Sequence, residues 1–374
     1  LLISPNFWGD IHLSKHLYAL ELAKLGNKVF FLNPPSRSNK KFYDVKKVKK
    51  NLYVITYKLL IPGRTKMIFP GLYYFYMTRV VRRISKLLNN DIFMTIDFST
   101  SLNYSLNKEN YFKSRIKVFF PVDETDESYY NSNSIADIYF STSKFFLNKI
   151  TLGNKIGHVL GHSLSSEMAN LEAVKYHNNG SINIGYFGSL FTYSINYPLL
   201  IYLIKSFPKI NFHFIGPNEK SDIKNNLGVG EGYYVEINNL KLLPNTIFYG
   251  VKKKTEIIDI CRDFDAMLIC YYEYGKHQKG SDNPHKVLEY LSMGKPIISN
   301  YLEEYYQYNN DMIFMPEKDS SNKQYIKKFA STVKQIKDYN KTEFQKRRID
   351  FANERTYKKN LSVFFKLLND VKTH

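Results

Sequence analysis

Lys286 and Glu289 stand three residues apart in the stretch 279–300, KGSDNPHKVLEYLSMGKPIISN. A lysine at the positive end of a helix suits a phosphate. A carboxylate one turn deeper suits a pair of sugar hydroxyls, as acidic residues do for ribose in dinucleotide sites. The plainer alternative is a surface helix on which the two residues pair, worth about 0.2–0.5 kcal/mol. Asp123 is a second candidate. It lies just past the strand-like run 117–120, at the end of a sheet strand that faces the ligand in open α/β folds. With Thr125 and Asp126 it also reads as a turn or cap residue. His12 and His16, four apart on a helical pattern, have a spacing compatible with a metal or a sugar contact, but no third ligand is evident. Asp263-Phe264-Asp265 has the form of a metal-binding D-x-D, yet it directly precedes a buried-strand pattern and reads as a cap and turn. His277 and His285 are as compatible with a solvated surface as with ligation. There is no G-x-S-x-G elbow and no phosphate-binding P-loop.

The elements that must hold Lys286 and Glu289 are legible in the same stretch. Asn283 reads as an N-cap and Pro284 as the first helical residue. Val287, Leu288 and Leu291 form an apolar face, leaving His285, Lys286, Glu289 and Ser292 on the other. Gly294 terminates the helix as a left-handed C-cap residue would, and 296–299 is a short buried strand. Before it, strands are expected at 182–187, 211–215, 246–249 and 266–270, with helices at 198–206 and 255–261 and a polar, Gly-rich excursion at 221–240. The first half repeats the scheme. Strands are expected at 1–5, 28–32, 52–57, 91–96, 117–120 and 137–141, with helices at 11–25 and 144–150 and a solvated basic loop at 36–50. The G-x-G-x-x-G fingerprint is absent, so a tightly held dinucleotide is not expected. The tail 343–371 is a long helical pattern with Phe351, Leu361, Phe364 and Leu367 inward.

Length and composition frame this reading. The chain has 374 residues, too many for one ordinary core. Hydrophobic residues make up 44%, so a packed globular chain is expected rather than a disordered one. Cys261 and Cys270 are the only cysteines, so no disulfide framework or zinc spacing can be built, as suits a reducing cytosol. The longest apolar runs fall far short of a membrane span. The chain opens on Leu1 inside an apolar run, which is compatible with a longer native N-terminus. The formal net charge of +19 favours an anionic partner: nucleic acid, an anionic membrane face or phosphorylated substrates. The segment 64–88 mixes aromatics with Arg79, Arg82, Arg83 and Lys86. Its second half reads either as a basic amphipathic helix facing a membrane or as a helix whose aromatics pack on the sheet.

Five pieces of the second half resemble the nucleotide-binding domain of GT-B-fold glycosyltransferases: NIGYFGSL (183–190), FHFIGP (212–217), NTIFYG (245–250), FDAMLICY (264–271) and NPHKVLEYLSMGKPIIS (283–299). Their order and spacing also match. The branch is family 4-like, of the bacterial polysaccharide and teichuronic-acid type, with similarity to xanthan-type glucuronosyltransferases. ERTYKKNL (354–361) is similar to the last helix of that family, with Tyr357 where tryptophan is usual. Residues 15–35 and 120–126 are similar more weakly. The resemblance implies an α/β fold of two Rossmann-like β/α/β domains facing across a cleft, with a C-terminal helix packing back toward the first. The expected division is 1–170 for acceptor binding, 178–345 for nucleotide-sugar binding and 346–374 for the tail.

The resemblance also implies donor contacts. Gly188 and Ser189 would offer backbone amides to a diphosphate, Lys286 would neutralise it, and Glu289 would grip the ribose. Gly250 and Val251 would border the base, and Asn283, Pro284 and Val287 would shape the adjoining loop and helix. In the xanthan-type relatives a first-domain aspartate acts as base, and Asp123 is the positional match. Two departures stand out. Ser281 occupies the place, eight residues before Glu289, where many members carry a glutamate, and 190–196 lacks the usual Arg and Lys.

The function expected is transfer of a sugar from a nucleotide-diphosphate sugar, of UDP or GDP type, to a growing lipid-linked surface glycan such as a capsule or lipopolysaccharide. The nucleotide sugar is a co-substrate; no cofactor and no metal are expected. The expected partners are that donor, a glycan or glycolipid acceptor and an anionic membrane, and the expected location is the cytoplasmic side, peripheral at the inner membrane face. Alternatives are a nucleotide-sugar epimerase, a phosphorylase, a degenerate scaffold of the same fold and, on charge alone, a nucleic-acid-binding protein, against which the lack of a clustered aromatic RNA-binding signature weighs.

Overall fold

A computed structural model describes the chain apart from residues 10–11, 40, 63, 100–110, 123–134, 150–155, 177–179, 223–230, 274–282 and 373–374. It divides into two compact units, Leu1–Gly161 with Tyr357–His374, and His162–Thr356.

The first unit carries β1 (Leu2–Ile3), helix α1 (Ser14–Lys24), β2 (Val29–Leu32), β3 (Tyr43–Lys49), β4 (Leu52–Tyr57), helices α2 (Thr65–Ile68) and α3 (Pro70–Leu87), β5 (Met94–Asp97), β6 (Ile116–Phe119), β7 (Ile138–Ser141), the helix Lys144–Lys149 and β8 (Ile156–Val159). Its sheet runs β3-β4-β2-β1-β5-β6-β7-β8. Every pairing is parallel except β3 with β4. The basic loop expected at 36–50 is therefore partly a strand. Its lysines sit on an exposed antiparallel edge, where charge blocks pairing with another chain. β8 was not expected; IGHV is half-exposed and too short to show alternation.

The second unit carries β9 (Ile182–Phe187), the helix Tyr197–Ser206, β10 (Ile210–Ile215), the helix Glu231–Lys241, β11 (Thr246–Gly250), the helix Lys254–Cys261, β12 (Ala266–Ile269), the helix Lys286–Ser292, β13 (Ile297–Ser299), β14 (Ile313–Phe314), and the helices Asn322–Lys334, Ile336–Tyr339 and Thr342–Asn353. Its parallel sheet runs β11-β10-β9-β12-β13-β14. β12 and β13 are buried throughout, as continuous apolar strands covered on both faces must be. The excursion expected at 221–240 instead contains a helix. EGYYVEINNLK has a weak apolar stripe, and only Ile237 and Leu240 enter the core.

The tail is two helices rather than one. Thr342–Asn353 stays in the second unit, where the buried Arg348 donates to Gly294 O at 2.9 Å and Gln345 Nε2 donates to Val174 O at 2.9 Å. After the break at 354–356, Tyr357–Lys372 joins the first unit. Tyr357 packs edge-on against Tyr18 at 4.9 Å, and Phe364 lies 4.7 Å from Phe140. These contacts move the boundaries from those expected. Residues 162–170 and 346–356 belong with the second unit, tied together by Leu164 N donating to Arg355 O at 2.7 Å.

Candidate functional site

The strand order of the second unit reverses between β9 and β12, and ligands of open α/β sheets bind at the carboxyl ends beside such a reversal. Phe187 ends β9 there, and Gly188 turns the chain with φ +138°. A side chain at 188 would put its Cβ 2.8 Å from Lys286 Nζ, so glycine is what lets the ammonium lie against the turn. Gly216, with φ +136°, backs the same turn; a Cβ there would come within 2.3 Å of the Gly188 carbonyl oxygen.

Lys286 Nζ donates to Tyr186 Oη at 2.7 Å and lies 4.0 Å from the centre of that ring. The Tyr186 hydroxyl donates onward to Ser189 O at 3.0 Å. Desolvation by burial raises the Tyr186 pKa well above the ordinary value, which keeps this phenol a donor. Tyr271, just past β12, presents its ring 5.1 Å from the same ammonium. The cation is thus tethered to the turn by a neutral aromatic relay rather than by a carboxylate.

Glu289 is 7% exposed, and its carboxylate is held by the ammonium of Lys254, the first residue of the helix after β11. His285 Nδ1 lies 3.9 Å from the other carboxylate oxygen. His285 Nε2 meets Ser163 O at 3.1 Å, and His162 Nε2 meets Asn283 O at 2.9 Å, each a ring N–H to a backbone carbonyl. Tyr290 Oη bridges Phe187 N and O, both at 3.1 Å, locking the helix to the end of β9.

Several sequence expectations change in detail. The helix begins at Lys286, with His285 rather than Asn283 at the cap position, and Pro284 precedes it. Its second face is not solvated: residues 287–292 are all buried, and the Lys286–Glu289 pair is replaced by Lys254–Glu289. Val287 is fully buried in the core, so its side chain cannot contact a donor. The Gly188 amide donates to Ile215 O at 2.9 Å and is not available to a phosphate, whereas the Ser189 amide has no partner among the described residues. Gly250 (φ +68°) and the exposed Val251 follow β11, with Gly250 O accepting from Gly216 N at 2.8 Å. Asn283 and Pro284 are buried beside the helix start. Asp123 lies outside the described residues, as do Ser281, Asp282 and His277.

Other candidates resolve into structure. His16 is buried and uses both ring nitrogens on backbone, Nδ1 accepting from Leu13 N at 2.9 Å and Nε2 meeting Phe7 O at 3.1 Å. Asp265 of the D-x-D accepts from Asn183 N at 2.6 Å and from the Tyr176 hydroxyl, tying β12 to β9. Lys254 is the site residue that sequence reasoning missed. Its signal was position alone, the last of three lysines (252–254) after a strand end.

No family model and no curated protein sequence matches the chain. Solved structures do. OtsA in its apo form has a TM-score of 0.69 at 11% identity, over 99% of this chain and 98% of that one. Sucrose-phosphate synthase of Thermosynechococcus elongatus has 0.67 at 12%, over 100% and 98%. Anabaena HepE, in complex with UDP and glucose, has 0.65 at 10%, over 100% and 99%. The chain has the GT-B fold. At these identities the likeness is one of architecture, and the chemistry must be argued from Lys286, Ser189 and Glu289 themselves.

Proposed function

We propose that the chain is a glycosyltransferase that takes its sugar from a nucleotide-diphosphate sugar. The observation that carries the reading is the Lys286–Tyr186–Ser189 relay at the carboxyl end of β9, with the buried Glu289 one helical turn from the lysine. When the sugar leaves its nucleotide, the anomeric C–O bond breaks and negative charge settles on the diphosphate. An ammonium and a backbone amide aimed at that charge stabilise the transition state. Glu289 would accept hydrogen bonds from ribose hydroxyls while Lys254 keeps its charge compensated. Gly250 and Val251 would border the base. Asp123 remains the sequence-based candidate for the base that takes the acceptor's proton.

The GT-B architecture and the UDP seen in HepE support a UDP-type donor. The motifs of 183–299 support a family 4-like, polysaccharide type of enzyme. The net charge of +19, together with the basic aromatic segment 64–88, supports a lipid-linked glycan acceptor at the inner membrane face.

Thermal shift with UDP, GDP, ADP, CMP and dTDP, each with and without sugar, tests the donor, since a ligand of the folded state raises the melting temperature. Binding of one diphosphate with loss in Lys286→Met is expected. Donor consumption without any acceptor would point to an epimerase, and no binding by any nucleotide would leave a degenerate scaffold.

A further inference from the structure

Helix α3 buries one face and exposes another. At ~100° per residue, Leu72, Phe75, Arg79, Arg82, Arg83 and Lys86 share an exposed arc of about 100°. Tyr73, Met77, Val80, Val81 and Ile84 lie opposite, buried in the first unit. The aromatics of 64–88 therefore divide: Tyr73 packs inward, while Phe69 and Phe75 face solvent.

The exposed arc is graded along its length. Its amino end continues into the corner between α2 and α3, where Met67 is 86% exposed, Ile68 66%, Phe69 63%, Leu72 54% and Phe75 55%. Leu60 adds to this patch, its loop held to α3 by the Tyr76 hydroxyl, which accepts from Leu60 N and donates to Lys58 O, both at 3.0 Å. The carboxyl end is cationic. Among the described residues, no carboxylate pairs with Arg79, Arg82, Arg83 or Lys86; Arg79 instead stacks on Phe75 at 4.1 Å and Arg83 on Phe42 at 4.5 Å. Phe42 leads into β3, whose Lys46, Lys47 and Lys49 are exposed. Residues 45–90 contain eleven Lys and Arg and no Asp or Glu.

Contiguous exposed apolar side chains of this size mark a contact surface. We infer that the α2–α3 corner is a wedge that enters the headgroup layer of an anionic bilayer, with Arg79, Arg82, Arg83, Lys86 and the β3 lysines over the surrounding headgroups. Charge complementarity selects the occupant. A polyanion alone would use the cations and leave Met67, Ile68 and Leu72 without purpose, whereas a bilayer takes both. No helix among the described residues is long and apolar enough to cross a membrane. The inference deepens the membrane part of the proposed function, and it stands on surface features of the first unit alone.

The test is sedimentation of the full chain with vesicles of phosphatidylcholine, alone or mixed with phosphatidylglycerol. The expected result is binding to the mixed vesicles only. Ile68→Ser with Phe69→Ser should weaken it at least tenfold, and Arg82→Glu with Lys86→Glu should weaken it by more than the roughly fivefold expected per basic residue lost. All four positions are exposed, so melting temperatures should be unchanged. Wild-type binding to mixed vesicles that neither double variant weakens overturns the inference. So does absence of vesicle binding at low salt, or tighter binding to a single-stranded oligonucleotide than to vesicles. Nucleotide binding is measured in parallel. Its loss in Glu289→Gln with vesicle binding intact bears on the donor site, and the reverse pattern in the surface variants bears on the wedge.

Discussion

The carboxylate of Glu289 is held by the ammonium of Lys254, 35 residues earlier in the chain and at the start of a different helix. A carboxylate that is 7% exposed needs a charge partner, and Lys254 supplies one at Oε1, while Oε2 lies 3.9 Å from His285 Nδ1. Of the two helix residues singled out as a pair, Lys286 is thereby released toward the glycine turn. Glu289→Gln should lower nucleotide affinity about tenfold or more, the scale of a hydrogen bond to a charged group. Lys254→Met should also destabilise the second unit, by about 1–2 kcal/mol because the lysine is part-exposed. Unchanged nucleotide Kd in Glu289→Gln, measured by calorimetry, would remove the ribose role.

Lys286 is argued to meet the diphosphate rather than the sugar or base. Lys286→Met should therefore weaken a nucleoside diphosphate but not the matching nucleoside, and lower kcat by about 10²–10³. Tyr186→Phe keeps the ring and removes the relay hydroxyl that accepts from Lys286 and donates to Ser189 O. Its kcat should fall less, by about tenfold, because the ammonium itself remains while its charge-assisted bond to the hydroxyl and the bond to Ser189 O are lost. An equal loss of nucleoside and nucleoside diphosphate affinity in Lys286→Met would show that the lysine is holding the fold and not the phosphate.

Gly216 and Gly250 make a contrast in backbone terms. Both have positive φ, +136° and +68°. A Cβ at 216 would strike the Gly188 carbonyl at 2.3 Å, while at 250 nothing lies within 4 Å. Gly250→Ala should cost only about 1–2 kcal/mol of conformational strain. Gly216→Ala should cost more and should also displace the turn that carries the Ser189 amide, so its nucleotide binding falls even where the protein remains folded. Denaturant melts and calorimetry on both variants check this; equal effects would dissociate the Gly216 contact from the site.

The parallel-sheet core was readable because β9, β10 and β13 stand beside Gly or Pro, and because β12 and most of β13 are continuous apolar runs, which have few other destinations. The site was readable in part. Gly294 at φ +72° ends its helix as a residue of that type should. Which cation faces Glu289 was not readable, because helical spacing reports neighbours on one helix and Lys254 arrives from another. Likewise, nothing local announces that the Gly188 amide is consumed by Ile215 on the adjacent strand. β3 was missed for a related reason: Tyr43–Lys49 has too many lysines to look like a strand, and it is one only because β4 offers an edge. The tail read as one helix because periodicity continues across 354–356, while the break there follows from which unit each half packs against.

The reversal of strand order in the first sheet, between β1 and β5, brings Asp97 to the end of β5. It is buried, accepting from Ser99 N at 2.8 Å and from the Tyr111 hydroxyl at 2.9 Å, and burial pushes its pKa up from 3.8 to about 7. Burial has the opposite effect on His16 and His213, each lowered from 6.5 to about 4. The signs follow from proton counts. Between about pH 4 and about pH 7 native Asp97 binds more protons than the unfolded chain does, so its contribution to stability is lost as pH rises. The histidines bind fewer protons in the native state, so theirs is lost as pH falls from about 6.5 toward about 4. In the first unit Asp97 and His16 oppose each other, which flattens the pH dependence. Asp97→Asn removes one side of that balance. Relative to wild type, the variant should gain stability between about pH 4 and about pH 7, by at most about 4 kcal/mol, and hold the difference above. Urea melts of both proteins across that range measure the difference directly, and a pH-independent offset between them would show that Asp97 is charged in the folded chain throughout.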